Sequence, residues 1–300
     1  MAYSRIIIVH LFSEINLTTF TAPPTGKVII IGAGPSDPEL LTLKAARHLA
    51  QADVVLVDRL VNPAITQQFA PQAIIIPVGK QCRKDKSTPQ LTINELLVHH
   101  ARMHRNVIRL KGGDISIFSN ILDELETLEA HQIAFELVPG VTAALGTAAV
   151  AGVPLTARNI SRGVRFLTYY NHDAVDEAEW QNLANTSDTL VFYMSGETCF
   201  TLAETLMAHG KKGDTPILLA EQATTPLQQF QLSTLANCSN EWQQHRFLSP
   251  ALLIIGEAAQ LHKRFMWTSN AQTNTEFFDP VTVIPTLPAA KPAETVTIVR

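Results

Sequence analysis

The sequence predicts an α/β protein of two domains, a parallel sheet followed by a mixed one, and two observations carry the prediction. Short β-branched runs alternate with stretches at helical spacing, which is the mark of βαβ units and a parallel sheet. The chain has 300 residues, and at about 150 per domain that is enough for two such units.

From Lys27 the runs recur at Val28–Ile31, Val54–Val57, Ile74–Val78, Val107–Leu110 and Phe135–Val138. Between the first two, Pro38–Ala50 sets Leu40, Leu41, Ala45 and Leu49 near helical spacing, with Pro38 suited to a first turn and Asp37 to the cap before it. Leu91–Met103 reads similarly. A second set of runs lies at Val164–Thr168, Thr189–Met194, Ile217–Ala220, Phe230–Ser233 and Ala251–Ile255. Pro226 interrupts Gln222–Ser233 and few residues separate its runs, so adjacent strands are expected there and the second sheet is mixed. The small-residue stretch 140–156 suits a short helix packed closely against backbone, turning at Pro154. These features divide the chain into an N-terminal extension, 1–24, an N-terminal α/β domain, 25–155, and a C-terminal α/β domain, 156–267. Beyond Trp267 the chain is polar and then proline-rich (Pro280, Pro285, Pro288, Pro292), so 268–300 is expected to be a flexible tail.

Apolar residues make up 46% of the chain and charged residues 17%, the balance of a folded core rather than a solvating sequence. The longest apolar runs fall far short of the ~20 residues that cross a bilayer, so no membrane span or membrane partner is expected. Lys and Arg number 23 against 27 Asp and Glu, a net charge of −4, which disfavours nucleic acid. Any anionic ligand needs a local cluster. Cys82, Cys199 and Cys238 are odd in number and widely spaced, which fits neither a disulfide framework nor a zinc site. A reducing cytoplasm and no metal are expected. The apolar segment Ile6–Phe12 is short, contains His10 and lacks a small-x-small cleavage site, so it reads as an extension rather than a secretory signal.

Chemistry-bearing residues gather where strands end. The first strand runs into Gly32-Ala33-Gly34-Pro35-Ser36-Asp37. Two glycines between strand and helix permit a tight turn and close ligand approach, although an ordinary βα turn reads the same in isolation. The third glycine of a dinucleotide fingerprint is missing, and Asp37 would repel a pyrophosphate at the helix start, so a nicotinamide dehydrogenase is disfavoured. Asp58-Arg59 closes the second strand at the end where open α/β sheets bind ligands, a position that equally suits a helix cap or ion pair. Val78-Gly79-Lys80 ends the third strand and leads into a basic loop with Arg83, Lys84 and Lys86 against one acid. Such a surplus suits a polycarboxylate, or simply a solvated loop. Arg109-Leu110-Lys111-Gly112-Gly113-Asp114 follows the fourth strand, with the Asp available to orient a hydroxyl or ammonium group. Val138-Pro139-Gly140-Val141-Thr142-Ala143-Ala144 adds a fifth strand-end loop.

These motifs, in this order, together with TINELL, TLVFYM, EQATTP and SPALLIIGE, resemble the S-adenosylmethionine-dependent tetrapyrrole methylases over about residues 26 to 267. The resemblance implies the two-domain tetrapyrrole methylase fold with its active site in the cleft between the domains, and a homodimer. It implies S-adenosylmethionine as cofactor, and C-methylation of uroporphyrinogen III at positions 2 and 7 to precorrin-2, on the branch to sirohaem and cobalamin. Carried over residue by residue, it assigns Pro35, Gly112, Gly113, Asp114, Ile117, Thr142, Ala143, Met194 and Ala223 to the cofactor. Asp58 matches the proton acceptor and Lys80 the proton donor. Arg83, Lys84, Arg158, Arg162 and Arg165 are the candidates for the carboxylates of a tetrapyrrole substrate.

The chain departs from the family where substrate is handled. The family's Pro-Phe-Ile-Phe-Gly-Arg-Gly-Gly-Glu-Glu is Ile115-Ser116-Ile117-Phe118-Ser119-Asn120-Ile121-Leu122-Asp123-Glu124 here, its Pro-Leu-Thr-His-Arg-Asp is Pro154-Leu155-Thr156-Ala157-Arg158-Asn159, and its Thr-Gly-His is Thr168-Tyr169-Tyr170. Replacing three glycines by bulk reshapes a macrocycle pocket. Two alternatives therefore stand beside the first reading: methylation of a different tetrapyrrole, and a non-catalytic S-adenosylmethionine-binding role.

Overall fold

The computed structural model describes residues 26–79, 88–169, 175–279 and 285. Strands β1 (Lys27–Gly32), β2 (Val54–Val57), β3 (Ile74–Pro77), β4 (Asn106–Lys111) and β5 (Phe135–Val138) form a parallel sheet in the order β3-β2-β4-β1-β5. Side chains alternate between its faces with the period of a strand. Ile29, Ile31, Val55, Ile108 and Leu110 face one way, onto α1 (Leu43–Leu49) and α2 (Pro63–Phe69). Val28, Ile30, Val54, Leu56 and Val107 face the other way, onto α3 (Gln90–Met103) and α4 (Leu122–Ala130). Burial on both faces is why these strands read as unbroken apolar runs.

The helix expected over Pro38–Ala50 is two pieces. Asp37 accepts a hydrogen bond from Glu39 N and caps a single 3-10 turn, Pro38–Leu40. Leu41 is then extended, and Thr42 caps α1 by accepting from Ala45 N at 3.2 Å. A strong local cap in mid-segment outweighs apolar spacing.

In the second sheet, β6 (Val164–Thr168), β7 (Thr189–Tyr193), β8 (Pro216–Glu221), β9 (Gln229–Thr234) and β10 (Ala251–Ile255) lie in the order β6-β7-β10-β8-β9. The β6–β7 pair is parallel and the other pairs are antiparallel, as expected from the short link across Pro226. One face carries α6 (Glu177–Asn185), α7 (Cys199–Ala208) and α8 (Cys238–Glu241), around Trp180, Phe192 and Leu219. The other carries α5 (Ala143–Ala151) and the turn 257–261 that leads into α9 (His262–Phe265).

Helix α5 thus precedes the second sheet in sequence but packs with it, since Ala144, Ala151, Val153 and Leu155 share a core with Val191, Leu218 and Ile254. The chain passes from one sheet to the other just before α5, ahead of residue 155. The tail is also partly built in. Asn270 exchanges hydrogen bonds with the main chain of Phe230 at 2.8 and 3.0 Å, Gln222 donates to Thr275 O at 2.9 Å, and Phe278 is buried. Residues 270–277, within the stretch expected to be a tail, are thus joined by hydrogen bonds to β9 and to Gln222.

Candidate active site

Strands β1 and β4 are neighbours, yet β1 leads to α1 on one face and β4 to α4 on the other. That is a topological switch point, and open α/β sheets bind ligands in the crevice at the carboxyl ends of such a pair. The loops leaving the two strands are joined there. Ala33 N donates to Lys111 O at 2.7 Å, Gly34 N to Gly113 O at 3.1 Å and Gly113 N to Gly34 O at 2.8 Å. A Cβ on Gly32 would lie 2.6 Å from Gly113 O and 2.7 Å from Gly140 N. Gly32 and Gly140 therefore serve the contact of three strand-end loops with one another rather than contact with a ligand.

Asp114 ties the same loops. Its Oδ1 accepts from Ser116 N at 2.8 Å and its Oδ2 from Gly140 N at 2.9 Å. Both oxygens are engaged by main chain, so the carboxylate that the sequence suggested for orienting a ligand has a structural task first. Gly112 and Gly113 beside it remain part-exposed.

The second domain closes over this crevice through particular contacts. Thr224 Oγ1 donates to Pro35 O, and the Pro35 ring lies where a Cβ on Gly146 of α5 would fall. Ile117, from the loop after β4, joins the core of the second domain. The ring of Phe118 meets that of Tyr193 edge-on with centroids 4.9 Å apart. At the mouth, Arg59 Nη2 lies 3.5 Å from Ser249 Oγ. Ser249 belongs to a segment held by the fully buried Glu221, which accepts from Leu248 N at 2.6 Å and pairs with His245 Nε2 at 2.7 Å. Burial pushes the Glu221 carboxyl above its ordinary range.

Tyr193 organises the start of α5. Its hydroxyl is 2.6 Å from Thr142 Oγ1 and accepts from Ala144 N at 3.1 Å, whereas the Thr142 side chain caps nothing. Ala143 N donates no hydrogen bond among the described residues, which leaves one main-chain donor beside Gly113. The next residues on β7 and β8 are backbone exceptions. Met194, Gln222 and Thr224 have φ of 58°, 48° and 66°, with Ala223 between the last two. Left-handed residues other than glycine cluster where surrounding structure over-determines them, often at functional sites.

The structure therefore brings Pro35, Gly112, Gly113, Asp114, Ile117, Thr142, Ala143, Met194 and Ala223 into the joined loops of one cleft. Asp58 stands at its edge, the end of β2. Lys80, Arg83 and Lys84 lie outside the described residues. Arg165 is not in the cleft. It sits at the opening end of β6, paired in register with Leu190, whereas the cleft end is marked by Tyr193 opposite Thr168. There it donates to Asp188 Oδ2 at 2.8 Å, to Asn182 and to Thr186 at 3.2 Å, and these pairs hold Asp188 below the usual carboxylate range. Arg158 and Arg162 are exposed on the turn just before that end of the strand.

Residues given no role from sequence lie beneath Asp58. Arg109 donates to Asp58 Oδ1 and, from Nε, to Glu124 Oε1 at 2.9 Å. Glu124 in turn accepts from Lys111 Nζ on both oxygens at 3.0 Å. Arg109, Lys111 and Glu124 are all buried. Burial and the neighbouring Arg109 charge lower the Lys111 pKa against the pull of Glu124. A sequence signal exists for this group: two cations at i and i+2 on a central, otherwise apolar strand share one face and require buried acids.

A parallel five-stranded sheet with a switch point, met at its strand-end loops by those of a mixed five-stranded sheet, defines an α/β protein with a candidate site between the two sheets. The chain belongs to the tetrapyrrole (corrin/porphyrin) methylases, whose family model matches residues 27–238. It is 44% identical over 254 residues to the siroheme synthase of Pseudomonas fluorescens SBW25, covering 84% of this chain and 54% of that protein. The siroheme synthase of Stutzerimonas stutzeri A1501 is likewise 44% identical, over 82% of this chain and 53% of its own length. The chain thus spans about half the length of the curated relatives it matches. Among solved structures, the uroporphyrin III C-methyl transferase of Thermus thermophilus is 35% identical with a TM-score of 0.66, over 79% of this chain and 100% of that one. The same enzyme has also been solved with S-adenyl homocysteine, at the same identity and TM-score. A cobalt precorrin-4 methyltransferase is 26% identical with a TM-score of 0.69, over 78% of this chain and 95% of that one. Among the described residues, no helix is long and apolar enough to cross a membrane.

Proposed function

We propose that this chain transfers methyl groups from S-adenosylmethionine to uroporphyrinogen III, at positions 2 and 7, giving precorrin-2. The observation that carries the proposal is the convergence of the strand-end loops at Pro35, Gly112–Gly113, Thr142–Ala143, Met194 and Ala223 around one switch-point crevice, with the Asp58 carboxylate at its edge. These loops offer S-adenosylmethionine main-chain donors and acceptors, and Ala143 N, without a partner among the described residues, is a donor of the kind its polar groups need. With Asp37 occupied as a cap, the first loop offers no phosphate cradle, as suits a sulfonium nucleoside.

When bound, S-adenosylmethionine supplies an electrophilic methyl on sulfur. The chain itself needs no covalent nucleophile. It aligns the reactants, keeps water out through the inter-domain contacts, and takes up the proton the substrate loses with each methyl gained. Asp58 is the acceptor in this reading and Lys80 the donor. Arg83 and Lys84, with Arg158 and Arg162, remain the candidates for substrate carboxylates, and Arg165 no longer does. A cytoplasmic homodimer is the assembly this reading expects.

Anaerobic incubation with uroporphyrinogen III and methyl-labelled S-adenosylmethionine, followed by mass analysis, tests the proposal. Two added methyl groups are expected, and single-turnover transfer is expected to be lost in Asp58→Asn. No transfer by a protein that binds S-adenosylhomocysteine would overturn the choice of substrate. It would favour the second reading, another tetrapyrrole, for which Ser119, Ile121 and Leu122, bulkier than glycine between β4 and the first turn of α4, are the supporting observation.

A further inference from the structure

Arg109 is among the largest fully buried side chains of the protein. Every donor group of its guanidinium is engaged: Nη2 with Asp58, Nε with Glu124, and Nη1 with the main-chain oxygens of Leu110 at 3.2 Å and Leu56 at 3.4 Å. Lys111, Glu124, Arg109 and Asp58 form a row of alternating charges that sums to zero. Three are buried, and the fourth, Asp58, is 26% exposed in its side chain at the cleft edge.

Buried ion pairs contribute little net stability, because desolvation offsets attraction, and apolar side chains of similar volume would serve the core as well. What the row supplies is a defined end. Arg109 occupies Asp58 Oδ1, and among the described residues Oδ2 accepts no hydrogen bond. One oxygen is anchored, which fixes how the carboxylate presents the other.

We propose that Arg109 is a positioning residue: backed by Glu124 and Lys111, it holds the Asp58 carboxylate in one orientation, beside a fixed positive charge, so that Oδ2 receives the proton released on methyl transfer. The inference rests on the reading of Asp58 as the base. The charged groups around Arg109 are Asp58 from the end of β2, Lys111 from its own strand and Glu124 from α4. Arg59, next to Asp58 in the chain, is directed to Ser249.

The two sides of Arg109 predict unequal losses of rate. Arg109→Met removes the anchor on Asp58 Oδ1, so single-turnover methyl transfer is expected to fall by about tenfold or more. Glu124→Gln is nearly isosteric, removes the acid behind Arg109 and leaves Arg109 beside Asp58, so a smaller fall of about twofold to fivefold is expected. We would measure single-turnover methyl transfer and thermal unfolding of Arg109→Met, Arg109→Lys and Glu124→Gln in the full chain. S-adenosylhomocysteine affinity serves as a control and is expected to stay within about twofold of wild type, because neither side chain is placed in the cofactor loops.

A rate lost in Arg109→Met and largely restored in Arg109→Lys, which keeps a cation able to reach Asp58, with cofactor affinity unchanged, is the expected result. A merely structural role would lower the unfolding temperature of the variants and leave the single-turnover rate of the folded protein at its wild-type value, and that outcome would overturn the inference. If Arg109→Met does not fold, Glu124→Gln decides alone, by a lowered rate or by none. Failure of the base reading is separately visible: Asp58→Asn would then keep wild-type single-turnover methyl transfer whatever the Arg109 and Glu124 variants show.

Discussion

Replacing Tyr193 with Phe removes one buried oxygen and leaves the ring in its contacts with Phe118 and Phe166. That oxygen stands 2.6 Å from Thr142 Oγ1 and 3.1 Å from Ala144 N. Since the Thr142 side chain does not cap α5, the Ala144 N–H loses its partner, while the Thr142 hydroxyl is free to rotate towards another. A buried polar group left unmatched costs about 1–3 kcal/mol. In a chain of this size that lowers Tm by about 2–10 °C. Calorimetric unfolding measures it, and a Thr142→Val, Tyr193→Phe double-mutant cycle isolates the part due to the pair.

The same loss should appear in cofactor affinity, because the phenol supports the Thr142–Ala143 turn. If half of the cost is recovered only on binding, S-adenosylhomocysteine affinity falls roughly threefold to tenfold, at 1.4 kcal/mol per factor of ten. A third signature is alkaline. Burial raises the Tyr193 pKa above its ordinary 10.0, so the folded state holds this proton more tightly than the unfolded state. Its contribution is therefore complete below about pH 10 and lost as pH rises through the folded value, a dependence that the wild-type protein shows and Tyr193→Phe lacks. A variant with unchanged Tm and unchanged affinity would refute the claim that this hydroxyl builds the start of α5.

Three further outcomes are expected. Gly140→Ala sets a Cβ 2.7 Å from the Gly32 carbonyl, main chain that cannot yield, and should lower stability by about 1–3 kcal/mol in urea unfolding, with cofactor binding falling in step. His100, buried in α3 with its Nδ1 lacking a hydrogen bond among the described residues, has its pKa lowered to about 4 by burial and by His99 and His104. The unfolded state binds this proton first, so stability drops by about 1–3 kcal/mol as pH falls from about 6.5 towards 4, and His100→Leu should flatten the Tm–pH curve there. Glu136, held down to about 2 by hydrogen bonds from Lys27 and Lys44, contributes stability that is present above its ordinary value of 4.5 and is lost as pH falls towards 2. Glu136→Gln should remove that acid dependence in the same assay.

The strands are legible in the sequence because their burial is two-sided: Val28–Ile31 and Val54–Val57 carry apolar, mainly β-branched residues at every position and leave few other readings. Strand-end glycines likewise point to the right loops, but not to their task. Gly32 and Gly140 are explained by main-chain atoms 2.4–2.9 Å from a hypothetical Cβ, a relation between distant segments that no local pattern encodes. The same holds for Asp58–Arg109 and Thr142–Tyr193, each 51 residues apart. Residues near in space and far in sequence are visible only as unexplained polarity: a cation in an apolar strand, a tyrosine before a methionine. Arg165 shows the converse. Its charge suggests a carboxylate ligand, and its partners are Asp188 and the end of α6.

The departure from the family in the loop after β4 takes its meaning from where its side chains go. Ile115 enters the core of the first domain and Ile117 that of the second, so three residues span the cleft and anchor on both sides. Ile121 packs back on the first core, while Phe118 and Asn120 between these anchors keep left-handed backbone, with φ of 50° and 54°. The left-handed residues thus alternate with the positions where the family has glycine, 119, 121 and 122, and do not coincide with them. The backbone at 119, 121 and 122 accepts a side chain, and the apolar anchors at Ile115, Ile117 and Ile121 hold the turn between them. Under the proposed function, a tetrapyrrole substrate would meet this loop at Phe118, whose ring rests edge-on against Tyr193 with centroids 4.9 Å apart. Substrate choice is then expected to depend on the side chains that the anchored loop presents, and Phe118→Ala should change it more than it changes cofactor affinity.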